Sequence, residues 1–353
     1  MTGQQVGIGL SGGVDSVIAA HLLTQAGYRV TAFFMRLPVD EADGQERMAG
    51  EVAAALGIPL RVIAMQDVFQ EKIIQPFLDE YHMGRTPNPC VLCNRIVKFG
   101  RLADHMRNQG MDMVASGHYA RIERTKSGEY VLRRGRDQSK DQSYFLCRLG
   151  QAQLGRILFP LGNLRKNEVK KLAASLGLAR KVSTESQDVC FLNKGLQMFL
   201  VKHGLAEQPG EIRSLDGRVL GTHAGIHHYT VGQRRGLGLP DATPWYVVRL
   251  DPVANQVIVG KNEDLFRRGF YVDRLRWVGP EKKLPWRGEV QLRSRHSPAP
   301  ATLSMEQSRW RITCEEPQRA ITPGQYAVLY EGDKVIASAV IQNHQSDRIH
   351  DHE

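Results

Sequence analysis

The stretch Gly7-Ile8-Gly9-Leu10-Ser11-Gly12-Gly13-Val14-Asp15-Ser16 carries the clearest chemistry in the chain. A short apolar run ends at Leu10, glycines turn the chain, and helical apolar spacing follows at Val17, Ala20 and Leu23. Glycine lets a backbone approach a phosphate with no Cβ in the way. The free N–H groups at a helix start, and the positive end of its dipole, then bind the anion. The hydroxyls of Ser11 and Ser16 can donate to phosphate oxygens, and Asp15 can help hold Mg²⁺. No Lys follows a glycine ahead of Ser or Thr, so this is not a Walker A loop. A loop without that lysine suits a held pyrophosphate and attack at the α-phosphorus. The plainer alternative is a glycine-rich strand–helix turn with no ligand.

Thiols supply the second chemistry. Cys90 and Cys93 form a C-x₂-C pair, and Cys190 follows about a hundred residues later in Ser183-Thr184-Glu185-Ser186-Gln187-Asp188-Val189-Cys190. The pair alone is compatible with zinc, an iron–sulfur cluster or redox work. Structural zinc normally needs a second pair at similar spacing, which the chain lacks. Cys147 and Cys314 sit inside apolar patterns and read as buried small hydrophobes. An odd, sparse set of five cysteines does not resemble a disulfide framework.

These groups need a frame. Strand signals at Val6–Leu10, Arg29–Met35, Leu60–Ala64 and Met113–Ser116 alternate with helical patterns at 15–26, 46–56, 68–81 and 94–108. Such alternation predicts βαβ units and a parallel sheet. Further helices are expected at 166–176 and 196–203. After about residue 205 the texture turns to glycine, proline and alternating strands. Arg213–Gly221 and Arg249–Gly260 read as hairpins with Asp-Gly and Asp-Pro turns. Six short strands are then expected at 271–278, 289–295, 301–305, 310–314, 325–330 and 335–341, with Glu331-Gly332-Asp333-Lys334 as a tight hairpin. The expected fold is an α/β unit over 1–205, a small β-rich central module over 206–269 and a C-terminal β-barrel over 270–353. His227 and His228 are adjacent, so on a strand they would face opposite sides.

The chain has 353 residues and a formal charge of +10. Residues 1–90 hold 6 basic and 10 acidic side chains, residues 91–205 hold 21 and 9, and residues 206–353 hold 20 and 18. The middle third therefore carries the whole surplus, and such a block points to an anionic partner, nucleic acid first. Within it, Arg133, Arg134, Arg136 and Lys140 would neutralise phosphates, while Tyr144 and Phe145 could stack on splayed bases. No apolar run approaches the ~20 residues of a membrane helix. No basic leader is visible at the N-terminus, so a cytoplasmic location is expected.

Ser11–Ser16 at the first strand–helix turn resembles the signature of PP-loop enzymes, the N-type ATP pyrophosphatases. Four further stretches resemble the tRNA-specific 2-thiouridylase family. They are Gly84-Arg85-Thr86-Pro87-Asn88-Pro89-Cys90-x-x-Cys93-Asn94; Ser116-Gly117-His118-Tyr119-Ala120-Arg121; Lys140-Asp141-Gln142-Ser143-Tyr144-Phe145-Leu146; and Thr230-Val231-Gly232-Gln233-Arg234-Arg235-Gly236-Leu237-Gly238. The likeness runs in order from the first strand to near residue 345.

The resemblance implies ATP-dependent 2-thiolation of the wobble uridine in tRNAs for Lys, Glu and Gln. Adenylation of the uridine oxygen would make AMP the leaving group, and a persulfide on Cys190 would deliver sulfur. Cys93 would release that sulfur by attack, leaving a Cys93–Cys190 disulfide. A basic surround is expected to lower both thiol pKa values. An upstream persulfide donor protein would load Cys190. ATP would be held by Gly9, Leu10, Ser11, Gly12, Gly13, Val14, Asp15 and Ser16, by the Met35 backbone and by Gly117. tRNA would meet His118, Lys140, Asp141, Gln142, Arg293, Ser294 and Gln342. Many family members have Asp where this chain has Cys90. With Cys90, Cys93 and Cys190 together, a [4Fe–4S] cluster is the alternative sulfur carrier. At Arg293-Ser294 the family has Arg-Tyr, so the aromatic available for stacking there is absent from this chain. More distant alternatives are another adenylating PP-loop enzyme, such as an amidotransferase-type or lysidine synthetase, and a non-catalytic tRNA-binding protein.

Overall fold

A computed structural model describes residues 3–177, 189–193, 195–240 and 242–343. The expected strand–helix alternation is present. β1 (Gln5–Gly9), β2 (Arg29–Arg36), β3 (Leu60–Ala64) and β4 (Met113–Ala115) run parallel. A hairpin of β5 (Ala120–Arg124) and β6 (Tyr130–Arg134) interrupts the alternation. β7 (Ile157–Leu158) then returns to the sheet, whose order is β3-β2-β1-β4-β7. Val6, Ile8, Ala32 and Phe33 are fully buried, as strands covered on both faces must be. Ala32 and Phe34 pack with the helix Val14–Gln25 on one face, while Phe33 packs with Phe99, Leu102 and Met106 on the other.

Two helices depart from the sequence reading. The one expected at 68–81 runs from Gln66 to His82 with a π-helical stretch at Gln70–Ile74. The one expected at 94–108 begins at Pro89 and is π-helical over Cys93–Leu102, with i→i+5 bonding. Proline suits a first helical position, where its missing N–H costs nothing. Cys90 and Cys93 therefore stand inside the helix, not in a loop ahead of it.

In the central module, β8 (Gly210–Ser214) pairs with β9 (Val219–His223), and β10 (Tyr246–Asp251) with β11 (Gln256–Gly260), as two antiparallel hairpins. A parallel β8–β11 contact joins them. His227 and His228 are not on a strand. The chain leaves the sheet at His223, and both sit in the 3₁₀ turn Ile226–His228 with ring centroids 4.2 Å apart.

β12 (Phe266–Trp277), β13 (Trp286–Gln291), β14 (Ala299–Glu306), β15 (Arg309–Arg319), β16 (Tyr326–Glu331) and β17 (Lys334–Ile341) follow. β12 pairs with both β15 and β17, which closes the six antiparallel strands into a barrel. β12 starts at Phe266, ahead of the expected boundary at 270. β13 stops at Gln291, so Arg293 and Ser294 lie in the following turn. The β5–β6 hairpin, absent from the sequence reading, extends the barrel's sheet through Lys334 opposite Arg133. Asp333 clasps it by pairing with Arg133 and, at 2.7 Å, with Arg121. Among the described residues, no helix is long and apolar enough to cross a membrane.

Asp333 is partly exposed, so water screens its pairs, and its loss would leave Arg133 to Glu123 and Arg121 to the Arg134 carbonyl. Asp333→Ala should lower stability by about 1–2 kcal/mol in urea unfolding. Amide exchange should accelerate in residues 120–134 before the parallel sheet is affected.

Candidate active site

The turn after β1 is built to leave N–H groups open. Leu10 N–H donates to the Phe33 carbonyl at 2.9 Å, which fixes the strand end. Gly12 has φ +76°, a conformation that favours glycine. Gly13, extended, precedes the helix and contributes no side-chain cap. Ser16 Oγ donates to the Gly13 carbonyl at 2.9 Å and lies 3.3 Å from Ser11 Oγ. Val14 and Asp15 open the helix. The loop is thus pre-shaped, with an uncapped helix start facing outward.

Asp15 is already engaged. Lys166 Nζ donates to both of its carboxylate oxygens at 2.7 Å, and the Tyr119 hydroxyl donates to Oδ1 at 2.7 Å. Lys166 is only 6% exposed, and the Asp15 carboxylate neutralises its buried charge. A carboxylate so occupied does not fit a direct Mg²⁺ ligand. The cation beside the loop comes from the helix Lys166–Ser175.

Gly117 follows β4 at the same sheet edge. A Cβ there would lie 2.7 Å from the Asp15 carbonyl carbon and the Ser16 nitrogen, so glycine is required for the two loops to touch. Met35, near the end of β2, is half-buried at that edge. His118 lies with its ring centroid 5.8 Å from that of Phe99 and 5.9 Å from that of Phe159, with Nδ1 2.7 Å from Ser116 Oγ. Burial, and then Lys98, push its pKa well below the usual histidine range, so it is neutral at pH 7.

All five cysteines are free thiols. Cys93 is buried in an apolar wall with Phe69, Ile73, Phe77, Tyr81 and Leu200. Phe191, directly after Cys190, packs edge-on against Phe69 and Phe77 at 5.7 and 5.2 Å and anchors its neighbour to the same wall. Cys90, Cys93 and Cys190 lie within one another's electrostatic reach and share the charge of Lys98. The Ser183–Asp188 part of the Cys190 motif lies outside the described residues.

The expected lowering of the thiol pKa values does not occur. Burial pushes Cys93 up to about 12, and Lys98 opposes it only in part. Burial also raises Cys90 and Cys190, although Cys190 as a residue is exposed. Among the described residues, no three His, Cys, Asp or Glu side chains are placed to hold a metal ion. Cys147 and Cys314 are buried, as expected.

The barrel and the central module hold the segment that leads into the thiol helix. Thr86 N–H donates to the Pro323 carbonyl at 2.9 Å, and Gln325 Nε2 donates to the Thr86 carbonyl at 2.7 Å. Thr86 Oγ1 meets Thr230 Oγ1 at 3.1 Å.

The residues expected to face tRNA are scattered in role. The Asp141 carboxylate accepts from Gly135 N–H, Ser143 N–H, Ser143 Oγ and Arg134, all at 2.8–3.0 Å, and so points inward. Gln142 pairs with the Tyr119 backbone. Tyr144 is fully buried and donates to the Tyr326 carbonyl, so it is no stacking platform. Arg293 turns its guanidinium to the Ala320 carbonyl and to Thr322 Oγ1. The Ser294 carbonyl accepts from Gln291, and Gln342 Oε1 accepts from Arg309 at 3.0 Å. Lys140 is half-buried. Sequence reasoning missed Lys166, Tyr119, Phe191 and Lys98. Lys166 had one signal: it opens a helix just after a short strand of the same sheet.

Comparison with known proteins follows the same division. Residues 4–194 match the family described as the tRNA methyl transferase HUP domain, 197–261 its PRC-barrel domain, and 267–341 the aminomethyltransferase beta-barrel domain. The chain is 41% identical to the tRNA-specific 2-thiouridylase MnmA of Solibacter usitatus, over 97% of this chain and 100% of that one. It is 44% identical to the protein of that name from Chloroflexus aggregans, over 95% and 97%. It is also 44% identical to that from Trichormus variabilis, over 96% and 99%.

A thiol pushed to about 12 is protonated through the neutral range. Below its pKa the thiolate fraction rises about tenfold per pH unit. Iodoacetamide labelling of Cys93, followed by mass spectrometry, should therefore climb from pH 7 to 10 with no plateau. Phe191→Ala should leave Cys93 more readily labelled, because it opens the wall over that sulfur.

Proposed function

The chain belongs to the tRNA-specific 2-thiouridylase family, and from that premise we propose that it thiolates the wobble uridine through a persulfide on Cys190. It is a PP-loop enzyme of tRNA 2-thiouridylation. The family's domain description speaks of methyl transfer, whereas the full-length relatives are thiouridylases. Paired thiols beside a pyrophosphate-type loop suit the second chemistry.

One observation carries the reading: the two chemistries meet around His118. Its neighbour Gly117 abuts Asp15 and Ser16, while its ring packs on Phe99 and lies in the field of Lys98, which also acts on all three thiols. In this reading the open helix start after Gly13 holds ATP, with the Lys166–Asp15 ion pair orienting the loop. The uridine O2 attacks the α-phosphorus, pyrophosphate leaves, and the oxygen becomes part of an AMP leaving group. The terminal sulfur of the Cys190 persulfide attacks C2 and expels AMP, leaving a C2–S–S–Cys190 link. Cys93, once deprotonated, attacks the Cys190 sulfur. The 2-thiocarbonyl departs and a Cys93–Cys190 disulfide remains, so two thiols are oxidised as the transferred sulfur is reduced. A persulfide donor protein and a dithiol reductant must then reload the site.

The division of labour follows the three units, with residues 1–205 catalytic, 206–269 supporting the thiol segment, and 270–353 contacting tRNA in the cytoplasm. Lys140, Arg293, Ser294 and Gln342 belong to that tRNA face. Arg293 and Gln342 act there partly through the turns they brace.

The test is conversion of unmodified lysine tRNA with Mg-ATP and a persulfide source, read as retarded migration on a mercury-containing gel. Cys93→Ser should keep AMP release within about twofold and cut completed thiolation by about 100-fold or more, with tRNA trapped on Cys190. Full thiolation by Cys190→Ser, or stoichiometric iron after anaerobic reconstitution, overturns the persulfide route.

A further inference from the structure

One residue expected to touch tRNA, Gln142, points the other way, toward the nucleotide loop. Gln142 Oε1 accepts from Tyr119 N–H at 2.9 Å, and Gln142 N–H donates to the Tyr119 carbonyl at 2.9 Å. The Tyr119 hydroxyl then reaches Asp15 Oδ1 at 2.7 Å, beside Lys166. Tyr119 is 2% exposed, and its ring lies under Lys166 Nζ, 5.6 Å from the centroid. Asp141 stiffens the other side by tying Gly135, Ser143 and Arg134 together.

We propose that Gln142 and Tyr119 are positioning residues that hold Asp15, and through it the phosphate loop, in its ATP-ready shape. This deepens the functional reading and rests on it for the loop's ligand. A carboxylate at the first turn of the loop's helix opposes the phosphates it stands beside unless its charge is turned aside. Lys166 neutralises that charge, and Tyr119 sets its direction. Gln142 fixes Tyr119 by a two-point backbone clamp, which a side chain reading RNA bases has no reason to make. The tripeptide Lys140-Asp141-Gln142 therefore has a split role. Lys140 belongs to the tRNA face, while Asp141 and Gln142 make that face continuous with the nucleotide loop. Hydrogen bonds to charged groups lose most when one partner is removed from a buried setting.

The test uses ATP bearing a methylene bridge between the α- and β-phosphorus, titrated by calorimetry into the full chain without tRNA. Tyr119→Phe keeps the ring and removes one oxygen, and thermal melting checks that it folds. It should weaken analogue binding by about fivefold, and Gln142→Ala by a similar factor. The double variant should be no weaker than Tyr119→Phe alone, because both act through one chain of contacts. Filter binding should show tRNA affinity within about twofold of wild type for Gln142→Ala. Losses that multiply in the double variant, or an unchanged analogue affinity in Tyr119→Phe, overturn the proposal. So does a tenfold loss of tRNA affinity in Gln142→Ala with analogue binding intact. Absence of tRNA-dependent AMP release from the wild-type chain fails the thiolation reading instead, and leaves the analogue titrations to judge the relay.

Discussion

A buried ammonium group sets the terms for the nucleotide site. Lys166 has almost no contact with solvent, and an ammonium in that setting needs a counter-charge beside it. Asp15 is that counter-charge, contributed by an element 151 residues away in sequence. The pair fastens the helix Lys166–Ser175 to the helix that starts the phosphate loop, and those two helices cover one face of the parallel sheet. Tyr119, Gly117 and Gln142 then have a fixed point to build on. Without the ion pair, the loop would retain its glycines and lose its orientation.

Much of the frame was legible in the sequence because burial leaves a plain record there. β1 and β2 read as continuous apolar runs, since both faces of a parallel sheet are covered. The six barrel strands were marked by their turns. What could not be read were contacts between residues distant in sequence. The β5–β6 hairpin has ordinary alternation, and only the barrel edge at Lys334 gives it a place. Tyr119 looked like one aromatic in a short motif, and nothing local says that its hydroxyl finds Asp15. Cys190 was joined to Cys93 only by resemblance. The physical link is Phe191, whose apolar character has no meaning until Phe69 and Phe77 are seen beside it.

Charge was the most misleading signal. The basic middle third invited a reading as one surface for an anion. The fold instead spends several of its arginines as internal fasteners. Arg121 and Arg133 clasp Asp333, Arg134 meets Asp141 and lies 3.6 Å from the Tyr330 ring centroid, and Arg148 donates to the carbonyls of Arg274 and Ser338. Each joins the α/β unit to the barrel. A guanidinium has five donors and tolerates partial desolvation better than an ammonium, which suits it to such seams. Composition counts charges but does not say whether they face water, RNA or the protein's own carbonyls.

The π-helical winding from Cys93 to Leu102 makes the thiol site depend on residue count as well as residue type. In an α-helix, residues five apart stand about 140° apart around the axis. Bonding from i to i+5 narrows that angle and keeps Lys98 on the side of Cys93, where its charge acts on the thiol. The wide winding accommodates roughly one residue more per turn than an α-helix of the same height. Were the winding to relax to α with all its residues kept, Cys93 and Lys98 would part without either being changed, whereas deleting one residue between them would leave them four apart and again on one face. The spacing between them is thus a length encoded by the backbone, one that an inspection of side chains alone does not reveal.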